Sequence, residues 1–315
     1  MRNGRGRMAK RGTRHEETSA LMRRVAGIRL LTVRLVNEQF AGDYHSSFKG
    51  QGIEFDEVRP YIPGDDVRAI DWNVTARTGM PHIKSFAEER ELTVIFLVDV
   101  SGSQAFGSES RTKSELAALL TCLLAMAAVQ NADKVGLINF SDRIEKVIPP
   151  RKGRTAVMRL VRDVLAAERD TRQGTDIAAA LRYLNRIHKR RALVFLLSDF
   201  QDSDYADELR TTAQRHDLVA LAIEDPRELE LPNAGLVEVQ DPESGELVLL
   251  DTASPRVRQH LAQAAAAERE ELRQTLLRYG IDGEWFSTHD SDDATVHRLR
   301  RLFHRRERRG GRRRR

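Results

Sequence analysis

Thr93-Val94-Ile95-Phe96-Leu97-Val98-Asp99-Val100-Ser101-Gly102-Ser103 is the stretch that decides the fold. Its first half is continuously apolar and rich in β-branched residues, which suits a strand buried on both faces of a parallel sheet. Such sheets present ligands at the carboxyl ends of their strands. At that end Asp99, Ser101 and Ser103 place one carboxylate and two hydroxyls at alternate positions, and Gly102 lets the backbone turn tightly between them. Hard oxygen donors of this kind suit Mg²⁺, which keeps an octahedral shell and usually retains several waters. One coordination position is then open to a foreign carboxylate. Mn²⁺ is the alternative ion, a choice set by availability as much as by ligand type.

Two distant segments extend the constellation. Gly174-Thr175-Asp176 precedes the apolar-periodic run Ile177 to Ile187, so Thr175 is expected in a loop leading into a helix, its hydroxyl able to approach the ion directly or through water. Leu193-Val194-Phe195-Leu196-Leu197 reads as a second buried strand and ends in Ser198-Asp199. If Asp99 and Asp199 leave adjacent strands at about 4 Å, both ionised, they repel by roughly 4 kcal/mol at an effective dielectric near 20. A cation held by Asp99, Ser101, Ser103, Thr175 and Asp199 removes that penalty. The competing reading of Asp99, Ser101 and Ser103 is a capping turn that satisfies the amides of the next helix.

From residue 91 strands and helices alternate, the mark of crossover connections on a parallel sheet. The expected class is therefore α/β: a mostly parallel, Rossmann-like central sheet flanked by helices. Residues 134–140 and 143–148 are expected as a hairpin giving the sheet one antiparallel edge, and residues 236–251 as a second hairpin turning at Glu243-Ser244-Gly245. An amphipathic helix is expected over 21–45. A small β module rich in turn signals follows at 46–90. The resulting division is a disordered basic tail at 1–20, an N-terminal helix plus β module at 21–90, the main domain at 91–304, and a disordered Arg-rich tail at 305–315.

The net charge of +5 is unevenly placed, since the first twenty residues carry +4 and the last eleven +7, leaving −6 on the body. Like-charge runs are expected to be solvated, with weak contact to anionic surfaces as their functional alternative. Cys122 is the only cysteine, so no intrachain disulfide forms, and its apolar surroundings suggest core filling. No run approaches the ~18–20 consecutive apolar residues of a membrane-spanning helix. Met1 to Ser19 is basic and polar rather than a secretory leader, and a cytoplasmic location is the expectation.

Arg59, Tyr61, Asp65, Asp66, Arg68, Asp71, Trp72 and Arg77 crowd one short segment. They read either as a buried ion-pair network with Trp72 as apolar anchor, or as a docking surface.

The order Asp-Val-Ser-Gly-Ser, then Gly-Thr-Asp, then Leu-Leu-Ser-Asp-Phe resembles the von Willebrand factor A-like fold with its metal-ion-dependent adhesion site. Upstream, Gly52-Ile53-Glu54-Phe55, Val58-Arg59-Pro60-Tyr61, Pro63-Gly64-Asp65-Asp66-Val67-Arg68, Ile70-Asp71-Trp72 and Thr75-Ala76-Arg77 are similar to the signature of the bacterial domain of unknown function 58. Family members often carry Met after the second serine, where this chain has Gln104. Such proteins are typically encoded beside MoxR-type AAA+ ATPases. The resemblance thus implies an adaptor or co-chaperone that works with such an ATPase or its client. Metal-dependent phosphoester hydrolysis is a rival, although no base is evidently placed and Asp-Val-Ser-Gly-Ser lacks the glycine of a nucleophile elbow. Non-specific nucleic-acid binding through the Arg-rich ends is another, without interleaved aromatics for stacking. No Gly-rich phosphate loop of the GxxxxGK[ST] type is present.

Overall fold

The computed structural model describes residues 5–48, 53–88, 91–105, 107, 111–167, 174–230, 232–240 and 247–313. The chain begins with helices α1 (Arg5–Leu35) and α2 (Glu38–Phe48). A small unit follows, made of β1 (Ile53–Pro60), a 3-10 turn at Val67–Ala69, α3 (Trp72–Thr78) and β2 (His82–Glu88). The main alternation runs β3 (Thr93–Asp99), a 3-10 turn at Gly102–Ala105, α4 (Lys113–Gln130), β4 (Lys134–Phe140), β5 (Ile144–Arg151), α5 (Arg154–Leu165), α6 (Ile177–Ile187), β6 (Leu193–Ser198), α7 (Ala206–Arg215) and β7 (Asp217–Glu224). After the short α8 (Pro226–Leu229) come β8 (Leu236–Gln240), β9 (Leu247–Asp251), α9 (Pro255–Tyr279), β10 (Asp282–Ser287) and α10 (Asp292–Arg313).

Six strands form the central sheet in the order β10-β7-β6-β3-β4-β5, parallel except for β5, which pairs antiparallel with β4. The expected class is what the structure shows, a mostly parallel sheet between two helical layers. Alternate residues of β3 divide between those layers because side chains alternate across a strand. Val94, Phe96 and Val98 pack with α1, α2, α4, α5 and α10, whereas Ile95 packs with α6, α7 and α9. Helix α4 is buried from Leu116 through Ala128, as an all-round apolar helix must be. It is also the one helix among the described residues long and apolar enough to cross a membrane, and 83% of that window lies inside the protein. The chain builds outward from β3 through β4 to β5, then reverses through β6, β7 and β10. The reversal puts a topological switch point between β3 and β6, where such sheets open a crevice at their carboxyl ends.

Three expectations need correction. The helix expected over 21–45 is two helices, because Asn37 ends the first run and its Oδ1 accepts the Phe40 amide at 2.9 Å, a side-chain cap. The grouping of 21–90 as one unit fails with it: Phe40, Tyr44 and Phe48 of α2 are buried in the main core, stacked edge-on or tilted against Phe303 at centroid distances of 5.5–5.9 Å. The basic ends are not disordered tails where they are described. Helix α1 begins at Arg5 and α10 continues to Arg313. Buried Arg306 bonds Asp217 through two contacts of 2.6 and 2.8 Å, bonds Asp282 at 2.6 Å, and lies over the Phe48 ring at 4.6 Å. Arg305 and Arg309 bond Glu284 and Asp282. These arginines therefore close α10 onto the β7 and β10 edge. The expected turn at 243–245 and residues 314–315 lie outside the described residues.

Removing one partner of a buried, hydrogen-bonded ion cluster leaves uncompensated charge. Arg306→Ala is expected to cost about 3–5 kcal/mol in urea denaturation, and exposed Arg308→Ala to stay within about 0.5 kcal/mol.

Candidate metal centre

Asp99 ends β3 and is 1% exposed. Parallel pairing of Val98 with Leu197 brings the end of β6 beside it. The Ser198 hydroxyl donates to Asp99 Oδ2 at 2.6 Å, and the Ser101 amide donates to Oδ1 at 2.9 Å. Ser198 Oγ also accepts the Phe200 amide at 3.0 Å. Phe200 stands at φ 59°, a left-handed conformation that costs a non-glycine residue energy and marks this turn as strained. In the turn that follows, the Ser101 and Ser103 hydroxyls converge to 3.1 Å.

Thr175 is half-buried in the loop before α6. That loop is tied to the end of β4, since the Asp176 amide donates to Ser141 O at 2.9 Å while the Val100 amide donates to Phe140 O at 2.8 Å. The loops bearing Ser101 and Thr175 are therefore both anchored at the carboxyl end of the same strand. Asp176 itself caps α6 by accepting the Ala179 amide at 2.6 Å.

Asp199 has a partner that sequence reasoning missed. Lys113 is fully buried, and its ammonium donates to Asp199 Oδ2 at 2.8 Å and to Glu228 Oε1 at 2.6 Å. Burial disfavours the charge, yet the fields of Asp199 and Glu228 outweigh it and raise the lysine pKa. The available signal was positional: a lysine opening an apolar helix sits against the macrodipole and needs a compensating anion. Ser198 was likewise read only as the residue before Asp199, although it is the one that bonds Asp99.

Burial foremost, then the charge of Asp199, pushes the Asp99 carboxyl up to about 7, against the lowering effect of bonds from Ser198 and Ser101. A nearby cation would lower it again. Gln104 adds a second sign, because it is fully buried and neither amide atom has a partner. An orphaned buried amide calls for ordered water or an ion nearby. Asp99 and the hydroxyls of Ser101 and Ser103 therefore fit a hard divalent ion as direct donors. Among the described residues no group of three or more His, Cys, Asp or Glu is placed to hold a metal, so an ion here would rest on hydroxyls as much as on carboxylates.

The residues of the 59–77 segment do not form a buried network. Arg59 grips Asp65 with two bonds of 2.8 Å, and Asp65 also accepts the Ile62 amide. Asp66 caps the 3-10 turn and Asp71 caps α3 through the Asn73 and Val74 amides. The Tyr61 amide donates to Pro81 O, and Arg68 and Arg77 are exposed. Trp72 is 70% exposed, which rules out the anchoring role, and Ile62, Val67 and Met80 of the same unit are exposed as well.

Folding raises the Asp99 pKa above its unfolded value, so the metal-free native state holds the extra proton. The Asp99 contribution to stability is present at pH 4 and is lost as pH rises through about 7. In EDTA, the stability difference between the wild type and Asp99→Asn should shift against the wild type over that window, read from urea midpoints at each pH.

Comparison with known proteins identifies a family. Residues 57–271 match the family described as Protein of unknown function DUF58. Uncharacterized protein Mb1516 of Mycobacterium bovis and Uncharacterized protein Rv1480 of Mycobacterium tuberculosis are each 34% identical over 257 residues, covering 78% of this chain and 80% of theirs. Solved structures similar to it include conserved hypothetical protein BatB from Bacteroides thetaiotaomicron, at 15% identity and TM-score 0.43 over 68% of this chain and 98% of that one. The SpRpn10 VWA domain is another, at 11% identity and TM-score 0.36 over 68% and 94%. With the family match spanning most of the sheet domain and relatives aligned over more than three quarters of the sequence, the chain belongs to the DUF58 family.

Proposed function

We propose that this protein recognises a partner through a bound divalent cation. Mg²⁺, or Mn²⁺ in its place, is held by Asp99, Ser101, Ser103 and Thr175, while Asp199, expected from the sequence as a further ligand, is engaged by Lys113 and stands as a nearby charge; the ion takes an Asp or Glu side chain of the partner as its remaining ligand. The observation that carries this reading is the meeting of the Ser101 and Ser103 hydroxyls, 3.1 Å apart, beside the buried Asp99 at the switch point. Neutral hydroxyl donors leave the ion's charge poorly compensated, so it attracts a foreign carboxylate strongly. The role is recognition and not bond cleavage. We assign the partner to the MoxR-type AAA+ ATPases or their clients, which the signature at 52–77 led us to expect. The exposed Trp72 and its apolar neighbours supply a second contact, since clustered exposed apolar residues mark interaction surfaces.

Immobilised protein is expected to capture a MoxR-type ATPase in millimolar Mg²⁺ and to release it in EDTA. Asp99→Ala should lose capture while its melting temperature in EDTA moves by only a few degrees. Capture that is unchanged by EDTA contradicts the mechanism. Trp72→Ala is expected to weaken capture while keeping stability within about 0.5 kcal/mol of the parent, as judged by urea denaturation.

A further inference from the structure

Lys113 occupies a position that disfavours a lysine on two counts, the N-terminus of a helix and a fully buried environment. The surrounding sequence nevertheless fixes it there. Thr112 and Glu115 form a reciprocal capping box that sets the first turn of α4. Gly107 permits the close return of the preceding loop, since a Cβ there would fall 2.5 Å from the Arg111 carbonyl oxygen. On the opposite side, Glu228 Oε2 accepts the Asp225 amide at 3.3 Å, and Asp225 accepts the Thr288 hydroxyl at 2.6 Å. The end of β6, the α8 turn that follows β7 and the start of α4 thus meet at one ammonium, and Asp199 of this cluster adjoins Asp99.

We propose that Lys113 is a resident counter-ion that holds Asp199 away from direct coordination and thereby sets the affinity of the neighbouring site for its divalent ion. This inference rests on the metal-dependent reading above. An oxygen bonded to an ammonium is a weaker donor to a second cation, and the ammonium's own charge repels that cation. The folded protein then keeps Asp199 compensated whether or not the ion is present. Metal occupancy becomes weak and reversible, completed when the partner carboxylate arrives. Glu228 acts as a positioning residue, bonding the ammonium as its second carboxylate partner.

The test is isothermal titration of the metal-stripped, full-length protein with MgCl₂ alone, paired with thermal melts in EDTA. Lys113→Met frees Asp199 and removes a positive charge, so it should bind Mg²⁺ about tenfold more tightly and should melt earlier in EDTA, with Mg²⁺ restoring the loss. Glu228→Gln removes one negative charge while leaving Lys113 on Asp199, and it should bind Mg²⁺ several-fold more weakly. If Lys113→Met does not fold, Glu228→Gln decides alone: unchanged or tighter binding overturns the proposal. Equal affinities in wild type and both variants overturn it while leaving the metal site intact. A wild type that takes up no Mg²⁺ overturns the metal-dependent reading itself, and this inference with it.

Discussion

A carboxylate buried where the strand order reverses between the parallel strands β3 and β6 is the constraint on which the rest of this molecule turns. Asp99 lies at the end of the central strand with almost no access to water. A charged group in that position is tolerable only with hydrogen bonds and a nearby cation. The bonds come from Ser198 on the neighbouring strand and from the Ser101 amide in the turn that follows. These two contacts fix the direction in which the turn leaves the sheet, and so fix where Ser101 and Ser103 present their hydroxyls. Asp199 adds a second negative charge to the same rim, and Lys113 compensates it. The electrostatics of the site are therefore built by three strand ends and one helix start, which is why no single local motif contains it.

The fold was readable because its signals are local. Two continuous apolar runs, Thr93 to Val98 and Leu193 to Leu197, required strands buried on both faces, and the helical periodicities between them required crossovers. The antiparallel edge followed from the short link at Ser141-Asp142. What could not be read depends on partners distant in sequence. The Arg-rich end looks like a solvated tail until Asp217, Asp282 and Glu284 are seen opposite Arg306, Arg309 and Arg305. Charge runs lose their default meaning when a sheet edge offers matching carboxylates.

The candidate site divides the same way. Asp99, Ser101 and Ser103 lie within five residues, so spacing alone put them on one turn. Lys113 and Glu228 are separated by more than a hundred residues, and a lysine beside an apolar helix gives no sign of its acids. Trp72 failed in the opposite sense, because an aromatic residue among charges suggests a buried anchor. Here each nearby acid caps a turn or pairs locally, through Asp65, Asp66 and Asp71, and the indole is left largely exposed. Burial of an aromatic is decided by tertiary packing, which composition does not report.

The most direct measurement is the anomalous difference density of crystals grown with Mn²⁺. One ion is expected within coordination distance of Asp99 and of both serine hydroxyls, with the ammonium of Lys113 still bonded to Asp199. A site without density at saturating Mn²⁺, or an ion bridging Asp99 and Asp199 directly with Lys113 displaced, would contradict it.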